Sequence, residues 1–366
     1  MANNLQNTRI EFHILHSFPV SCLNRDDVGA PKSALIGGTN RARVSSQCWK
    51  RAIRLAMHEL GVNTAVRTRQ VMKFVSDACR EIGADETQAL ACGEATAKAL
   101  TKSVKEGESD TIFYISHAEA LAVAEFFKAN AFDATKDTKE LTKILKKGLN
   151  TVMDGVDIAL FGRMAASAPE VNVEASASFA HAISTHKVDT EIDFFTALDD
   201  INVENNIQGS AHMGSLEFNS ATYYRYISLD LGLLAKNLGD AEDLTPAIDA
   251  FTKALFIAIP GGHQSTMTAT TLWDYARIVV RKGQRVQASF SDAVRAHDGK
   301  TILGASIKKL DAEMDRMKTG LGSLYGEIAS VTFGDGENGG NSENNVKCID
   351  DVAKKLVDTV RMLQGN

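Results

Sequence analysis

Strand-like sequence on both sides of a long helical stretch is the feature that most limits how this chain can fold. Ile10, Phe12 and Ile14 alternate with polar residues in RIEFHILHSFPV, a pattern typical of a β-strand. From Thr64 to about Asn150 the sequence is instead rich in alanine, mixed in charge and helical in its periodicity, as in ETQALACGEATAKALTKSV. Alternation returns in SASFAHAISTH. We therefore expect a helical subdomain inserted into a part of the chain that contains strands.

Two further segments carry candidate binding residues. TALDDINVENNIQGSAHMGSLEFNSATYYRYISLDL has extended arms around an asparagine-rich centre, which predicts a long β-hairpin. DGVDIALFGRMAAS is interpreted as a strand or turn that presents Arg163 and Met164 on an exposed loop. A methionine is most often a core residue, but this pair also suits single-stranded nucleic acid, with the methionine between bases and the arginine on a phosphate. Phe194, Phe195 and Thr196 at the base of the hairpin are open to the same two interpretations.

Positive charge is concentrated near the N-terminus of a chain whose formal net charge is −6. No acidic residue occurs from Val28 to His58, so the basic residues there cannot form local ion pairs. They are Lys32, Arg41, Arg43, Lys50, Arg51 and Arg54. One interpretation is a solvated face. The other is an anion-binding surface, for which nucleic-acid phosphate is the obvious candidate and which Gly37 and Gly38 would let the backbone approach.

The local pattern places several of these cations together. RARVSS alternates as a short strand, so Arg41 and Arg43 share one face. Ser45 or Ser46 is a suitable N-cap for a helix over QCWKRAIRLAMHELG, which stops at Gly61. On that helix Lys50 and Arg54 are four residues apart and therefore neighbours, with Arg51 beside them. The strand and the helix are thus expected to present their cations to one groove.

Other kinds of site find little support. The five cysteines are scattered without a CxxC pair, and there is no phosphate loop, HExxH or GxSxG motif. His13 and His16 should point to opposite faces of their strand. Asp26 and Asp27 could form a metal-binding dyad, although beside Arg25 a turn is the simpler interpretation. We expect a cytoplasmic protein without cofactor, metal, signal peptide or membrane span.

A set of colinear motifs resembles one family. The segments SCLNRDD, RARVSSQCWKRAIR, GVDIALFGRMA, AHAISTHKVDTEIDFFTALDD and GSAHMGSLEFNS resemble, in the same order, the CasC family, the backbone subunit of the type I-E CRISPR Cascade complex. The likeness runs from the first strand almost to the C-terminus. It departs at Ile201, where the family has leucine, and at the hairpin tip 201–208, which looks longer than is usual in the family.

The resemblance implies an α+β fold with three parts. These are a modified RRM-like (ferredoxin-like) palm formed by residues 1–63, 180–192 and 223–366, a helical fingers insertion at 64–179, and a protruding β-hairpin thumb at 193–222. It places on the palm the residues that grip the guide RNA, namely Arg25, Lys32, Arg43, Ser45, Gln47, Lys50, Arg51 and Arg54, to which the charge pattern adds Arg41. Arg163 and Met164 fall on the loop that inserts at the guide. Phe195, Thr196, His212 and Met213 fall on the thumb, which kinks out a base at each sixth nucleotide.

The implied function is a non-catalytic, crRNA-binding backbone subunit of an antiviral surveillance complex. Copies polymerise head to tail along the crRNA, grip its phosphates without sequence preference and leave other bases free to pair with a target DNA strand. The implied partners are crRNA, target DNA, further copies of the chain and subunits of the CasA, CasB, CasD and CasE types, with no membrane. The alternative is a metal-dependent nuclease, suggested by Asp26, Asp27 and the histidines. A magnesium-dependent RNA product would distinguish the two.

Overall fold

The computed structural model describes residues 5–101, 103–135, 140–141, 143–144, 155–165, 167–198, 210–239, 244–296, 299–335 and 345–365. The strands, in chain order, are β1 (Thr8–Ser21), β2 (Ser33–Ile36), β3 (Thr39–Val44), β4 (Val66–Thr68), β5 (Val104–Lys105), β6 (Glu108–Ser109), β7 (Phe113–Ile115), β8 (Ala177–Phe179), β9 (Ala182–Ser184), β10 (Glu191–Leu198), β11 (Ser210–Asp230), β12 (Tyr275–Lys282), β13 (Glu327–Phe333) and β14 (Asn345–Val346). The α-helices are α1 (Ser46–Glu59), α2 (Val71–Glu81), α3 (Glu86–Leu100), α4 (His117–Ala129), α5 (Val156–Phe161), α6 (Leu231–Asn237), α7 (Thr245–Ile257), α8 (Ile302–Leu321) and α9 (Ile349–Gln364).

One large mixed sheet organises the chain. Its strand order is β14-β13-β12-β1-β11-β9-β3-β2, and β8 and β10 pair with β11 outside this path. All pairs are antiparallel except β13 with β14. The predicted first strand is confirmed as β1, which lies between β11 and β12. The structure is therefore a mixed α+β fold.

The alternation along β1 separates two hydrophobic cores. Ile10, Phe12 and Ile14 pack on one face of the sheet, in a core that includes buried residues of α1, α7 and α9. Leu15 packs on the opposite face in a smaller core that includes residues of α8, among them Leu310. Successive strand side chains point to opposite faces, so one strand contributes to both layers.

Helices α2, α3 and α4 pack around a core of their own. Val75 of α2, Cys92 of α3 and Phe127 of α4 are fully buried in this cluster. Short strands β4 and β7 pair beside it. The helical character expected for this stretch is confirmed. The boundaries assigned to palm, fingers and thumb stay predictions.

The long hairpin is also confirmed, since β10 and β11 pair antiparallel from Glu191↔Phe218 to Leu198↔Ser210. Its predicted tip, residues 201–208 with Ile201, lies outside the described residues.

One local prediction was wrong. The segment expected as a strand or turn before Arg163 is helix α5, with Gly162 as its C-cap; a short, buried apolar run does not distinguish a strand from a helix. Strand β2 follows Pro31 and is joined to β3 through Gly37 and Gly38, at φ 58° and 71°. A Cβ on Gly37 would lie 2.0 Å from the carbonyl oxygen of Ser291. Both glycines are thus explained by a tight hairpin turn, and Gly37 also by close backbone packing.

Candidate nucleic-acid interface

Helix α1 forms one wall of the candidate interface. The Ser45 hydroxyl accepts a hydrogen bond from the Cys48 N–H, which confirms Ser45 as the N-cap. Trp49, Ile53 and Met57 are buried against the sheet. The amphipathic spacing therefore leaves the helix's polar side chains on the outward side, beginning with the exposed Gln47.

A groove of about 350 Å³ lies between α1 and the inserted helical part. It brings together residues that the sequence placed far apart: Gln47, Lys50, Arg51, Arg54, Arg163 and Met164. Sequence reasoning missed Arg67, Ile112 and Tyr114, which also line the groove. The signal available for Arg67 was weak, because the sequence VRTRQ around it resembles that of an ordinary solvated loop.

The cations of α1 are held by aromatic rings. The Lys50 ammonium lies 5.5 Å from the centroid of Phe179, and burial lowers the pKa of Lys50. The Arg54 guanidinium lies 5.8 Å from the centroid of Tyr114 and donates to the carbonyl of Ala65 at 3.3 Å. These contacts orient the side chains without neutralising their charge.

A hydrogen bond to a buried carboxyl fixes the position of the Tyr114 side chain. Its hydroxyl donates to the buried carboxyl of Asp157, which also accepts from the Ala65 N–H at 2.9 Å. Burial raises the pKa of Asp157 and that of Tyr114. The groove floor beneath Arg54 is therefore a hydrogen-bonded unit that joins helix α5 to strands β4 and β7.

A second cleft, of about 580 Å³, continues the surface beyond Arg51. Arg51 lines both clefts, and Arg25 lines the second. The Asp26 carboxylate accepts from the N–H groups of Val28 and Ala30, at 3.0 and 2.9 Å, which supports the turn interpretation of this segment.

Arg43 and Lys32 are further cations of the basic segment before α1. The Arg43 guanidinium lies 3.0 Å from Nδ1 of His181. Burial and then the charges of Arg43 and Lys32 lower the pKa of His181. Burial raises the pKa of the Cys48 thiol, and the nearby charges of Lys32 and Arg51 act in the opposite direction.

None of these groove cations has a carboxylate partner among the described residues. The described ion pairs involve other basic residues, such as Arg80, Arg277 and Lys318. The cations without a described ion pair are Arg25, Lys32, Arg43, Lys50, Arg51, Arg54 and Arg67, although Asp26 and Asp27 line the second cleft beside Arg25. An anion is the natural counterpart for such a surface.

Arg41 does not belong to this surface, contrary to expectation. Its side chain is fully buried and donates to the carbonyls of Ser184, Phe290 and Ser291 at 2.6, 2.9 and 3.2 Å. Strand alternation placed Arg41 on the face of Arg43 but could not show that residues near 290 cover it. Ser45 is likewise 8% exposed, and its hydroxyl is used as a helix cap.

Arg163 also differs from expectation, since its guanidinium is not exposed. It pairs with Glu119 at 2.8 Å and donates to the carbonyls of Tyr114 and Val171, both at 3.0 Å. Glu119 in turn accepts from the Ser116 N–H in the capping box of α4. Met164, the next residue, is 85% exposed at the groove rim. The buried ion pair thus anchors an exposed methionine.

The candidate hairpin residues lie on two faces. Thr196 pairs directly with Met213, so their side chains share a face with those of Ile192 and Phe194. Phe195 is on the other face, where its ring covers Gly214 so closely that a Cβ there would lie 2.6 Å from it. His212 pairs through its backbone with Ala197, and its side chain lies outside the described residues.

Within the part of the chain that the structure describes, no group of three or more His, Cys, Asp or Glu residues could hold a metal ion. Over the same residues, no helix has both the length and the apolar character that a membrane span requires. His13 and His16 contact different surroundings, Tyr224 and Trp49 respectively, as their spacing predicts.

Comparison with known proteins now assigns the chain to a family. The family described as CT1975-like protein matches residues 10–358. The chain belongs to this family. A comparison with curated proteins gave no significant match.

Solved structures agree with this family assignment. The chain matches one in a structure titled "CRISPR RNA-guided surveillance complex, pre-nicking", with 30% identity and a TM-score of 0.79, over 96% of this chain and 99% of that one. A second match, titled "CRISPR RNA-guided surveillance complex", has 24% identity and a TM-score of 0.69, over 96% and 99%, and shows the fold alone. This CT1975-like protein therefore has the mixed α+β fold of chains found in such complexes.

Proposed function

We propose that this chain is a crRNA-binding backbone subunit of a Cascade-type surveillance complex, and specifically of the CasC family of type I-E systems. The observation that carries the proposal is the groove along α1, which Lys50, Arg51, Arg54 and Arg67 line together without an acidic residue in its lining. The chain is similar to a chain of an RNA-guided surveillance complex, so we take guide RNA as the anion that these cations bind.

The surface suits a phosphate backbone better than a set of bases. Lys50, Arg51 and Arg54 are point charges or guanidinium forks that project from one helix, and such groups contact phosphates whatever the sequence. A guide RNA must be bound whatever its base sequence, so binding through phosphates is consistent with this role. Each phosphate neutralised releases counterions, and affinity then falls steeply with salt.

Met164 gives the groove a means of interrupting base stacking. Its exposed side chain stands at the rim on a loop that the Arg163–Glu119 ion pair holds in place. An apolar side chain inserted between bases unstacks one step at a cost of a few kcal/mol, which cation–phosphate contacts can offset. We assign to Met164 and the hairpin residues Phe195, Thr196, His212 and Met213 the kink at each sixth nucleotide.

Assembly is proposed to be head to tail. Ile192, Phe194 and Met213 leave an exposed apolar face on the hairpin, 68%, 65% and 63% accessible respectively. A heterologous contact of this kind repeats without closing, so copies would follow the RNA as a helical filament with palm, fingers and thumb as its parts. The other Cascade subunits and a target DNA strand complete the proposed partners. Catalysis is assigned to none of this chain's residues.

The test is binding of the full chain to an oligo-uridine RNA and to a mixed-sequence RNA over a series of salt concentrations. The double variant Lys50→Ala/Arg54→Ala should weaken both complexes equally and reduce the slope of log K against log salt by about 1.4, since each phosphate on a single strand contributes about 0.7. The control is Lys354→Ala/Arg361→Ala, which removes the same charges from α9.

Three outcomes would contradict the proposal. Equal losses in both double variants would mean that net charge alone attracts RNA. A loss confined to one RNA sequence would mean base recognition. A magnesium-dependent cleavage product from bound RNA would support the nuclease alternative instead.

A further inference from the structure

The segment from Gln284 to Phe290 packs against the face of the sheet that carries Leu15. The Val286 N–H donates to the Glu11 carboxylate at 2.9 Å, and the Ala288 N–H donates to the Tyr224 hydroxyl at 3.1 Å. The side chains of Val286, Ala288 and Phe290 pack in the core that contains Leu15, and the intervening Arg285 and Gln287 lie on the outer side. Both are exposed.

Arg285 and Gln287 line a small cleft with a polar rim. The cleft has a volume of about 280 Å³, and Ser178, Phe179, Ala180 and Tyr226 complete its lining. The Arg285 guanidinium donates to the Ser178 hydroxyl at 2.5 Å, a contact that fixes its direction. Among the described residues no carboxylate lies within ion-pair distance of Arg285. Most of the five donors of its planar fork therefore remain available.

Strand β8 separates this cleft from the groove of α1, because the cleft lies on the face of the sheet that carries Leu15 and the groove on the opposite face. Phe179 contributes to the cleft, and its ring lies beneath the Lys50 ammonium of the groove. Farther along the same segment, His181 contacts Arg43. Cations from three separate parts of the sequence thus border residues 178–181.

We propose that Arg285, Gln287 and Ser178 form a further phosphate subsite for the RNA strand that leaves the groove at Lys50. This inference rests on the proposed function. The guanidinium fork matches a phosphate in a bidentate manner, and the Gln287 amide offers a donor and an acceptor to a neighbouring ribose hydroxyl. The subsite takes the backbone and not the bases, so it works for every guide.

The test compares Arg285→Ala, Arg285→Lys and Arg316→Ala in the full chain, with oligo-uridine RNA as the probe at several salt concentrations. Arg316 is an exposed arginine on α8, so its removal controls for net charge. Arg285→Ala should weaken binding about tenfold and reduce the salt slope by about 0.7. Arg285→Lys should restore the slope but only part of the affinity, because a point charge replaces the fork. Arg316→Ala should match the parent chain.

The failure of this inference is separable from the failure of the proposed function. If Arg285→Ala binds like the parent while Lys50→Ala/Arg54→Ala binds poorly, the groove binds RNA and the subsite does not. If the parent chain itself binds no RNA, both the proposed function and the subsite at Arg285 are wrong. If Arg285→Ala lowers the affinity for single-stranded DNA but leaves that for RNA unchanged, the cleft holds another strand and the assignment to the guide is wrong.

Discussion

Basic residues have different surroundings in the groove and in the buried polar layer of the sheet, which consists of Glu11, His13, Arg225, Tyr226 and Arg281. In the buried layer Arg281 pairs with Glu11 at 3.1 Å, and Glu11 also accepts from the Tyr226 hydroxyl at 2.6 Å. Arg225 lies 3.6 Å from the ring centroid of Trp49, and burial lowers its pKa to about 9. In the groove, by contrast, Lys50 and its neighbours have no described carboxylate partner.

The difference shows how burial sorts charged groups. A cation removed from water needs an acceptor of its own, because an unpaired buried charge is far too costly. A cation at the surface remains solvated and can stay unpaired until an anion arrives. Positive charge alone therefore does not make a residue a candidate for binding; the charge must also be accessible and uncompensated.

Arg163→Ala should have the largest effect on stability, because it removes the guanidinium that pairs with the buried carboxylate of Glu119. We expect the free energy of unfolding to fall by about 3–5 kcal/mol in urea denaturation. Arg163→Met combined with Glu119→Gln should recover part of this loss, since neither charge then remains. Arg316→Ala, which breaks an exposed pair, should leave the unfolding transition unchanged. A stable Arg163→Ala variant that fails to bind RNA would restore the original expectation that Arg163 contacts the guide.

Acid should destabilise the buried layer through His13. Burial, together with Arg277 and Arg281, lowers the pKa of His13 from 6.5 to about 3, and Tyr224 and Tyr226 complete its surroundings. Between these two pH values His13 is therefore protonated in the unfolded chain and neutral in the folded chain. Stability should be constant above about pH 6.5 and fall toward about pH 3.

His13→Gln isolates this contribution. Its free energy of unfolding should depend less on pH over that range, by up to about 1.4 kcal/mol per pH unit. The measurement is urea denaturation of both proteins at a series of pH values. Parallel profiles would show that His13 titrates normally and is not confined to its neutral form.

Met164→Ala should have the smallest effect and act on binding alone. The side chain is 85% exposed, so the free energy of unfolding should change by less than about 0.5 kcal/mol. RNA affinity should fall by about 1 kcal/mol, near the lower end of what a stacked base contributes, with no change in salt slope. Met362→Ala on α9 is the matched control, since Met362 is 71% exposed. Equal affinities for the two variants would remove Met164 from the base-kinking role.

Much of the groove could be predicted from local spacing. The N-cap at Ser45, the buried stripe from Trp49 to Met57 and the adjacent Lys50 and Arg54 follow from helix geometry, which is fixed by the chain itself. The antiparallel pairing of the hairpin arms was also predictable from the sequence. The colinear motifs predicted a likeness to chains of CRISPR surveillance complexes.

Other parts depended on contacts between segments far apart in sequence. Arg67 and Tyr114 reach the groove only because the helical insertion folds back beside α1, and Arg285 reaches β8 from more than one hundred residues away. No local pattern distinguishes these residues from ordinary surface positions.

The sequence alone determined which residues are helical neighbours, where the charge is concentrated and which family the chain resembles. Only the tertiary structure decided which basic residues are accessible. Arg41 and Arg43 have the same spacing to a shared face, yet backbone near Phe290 covers the first and leaves the second beside His181. Spacing is set by backbone geometry within one element, whereas burial is set by whichever distant segment packs against it.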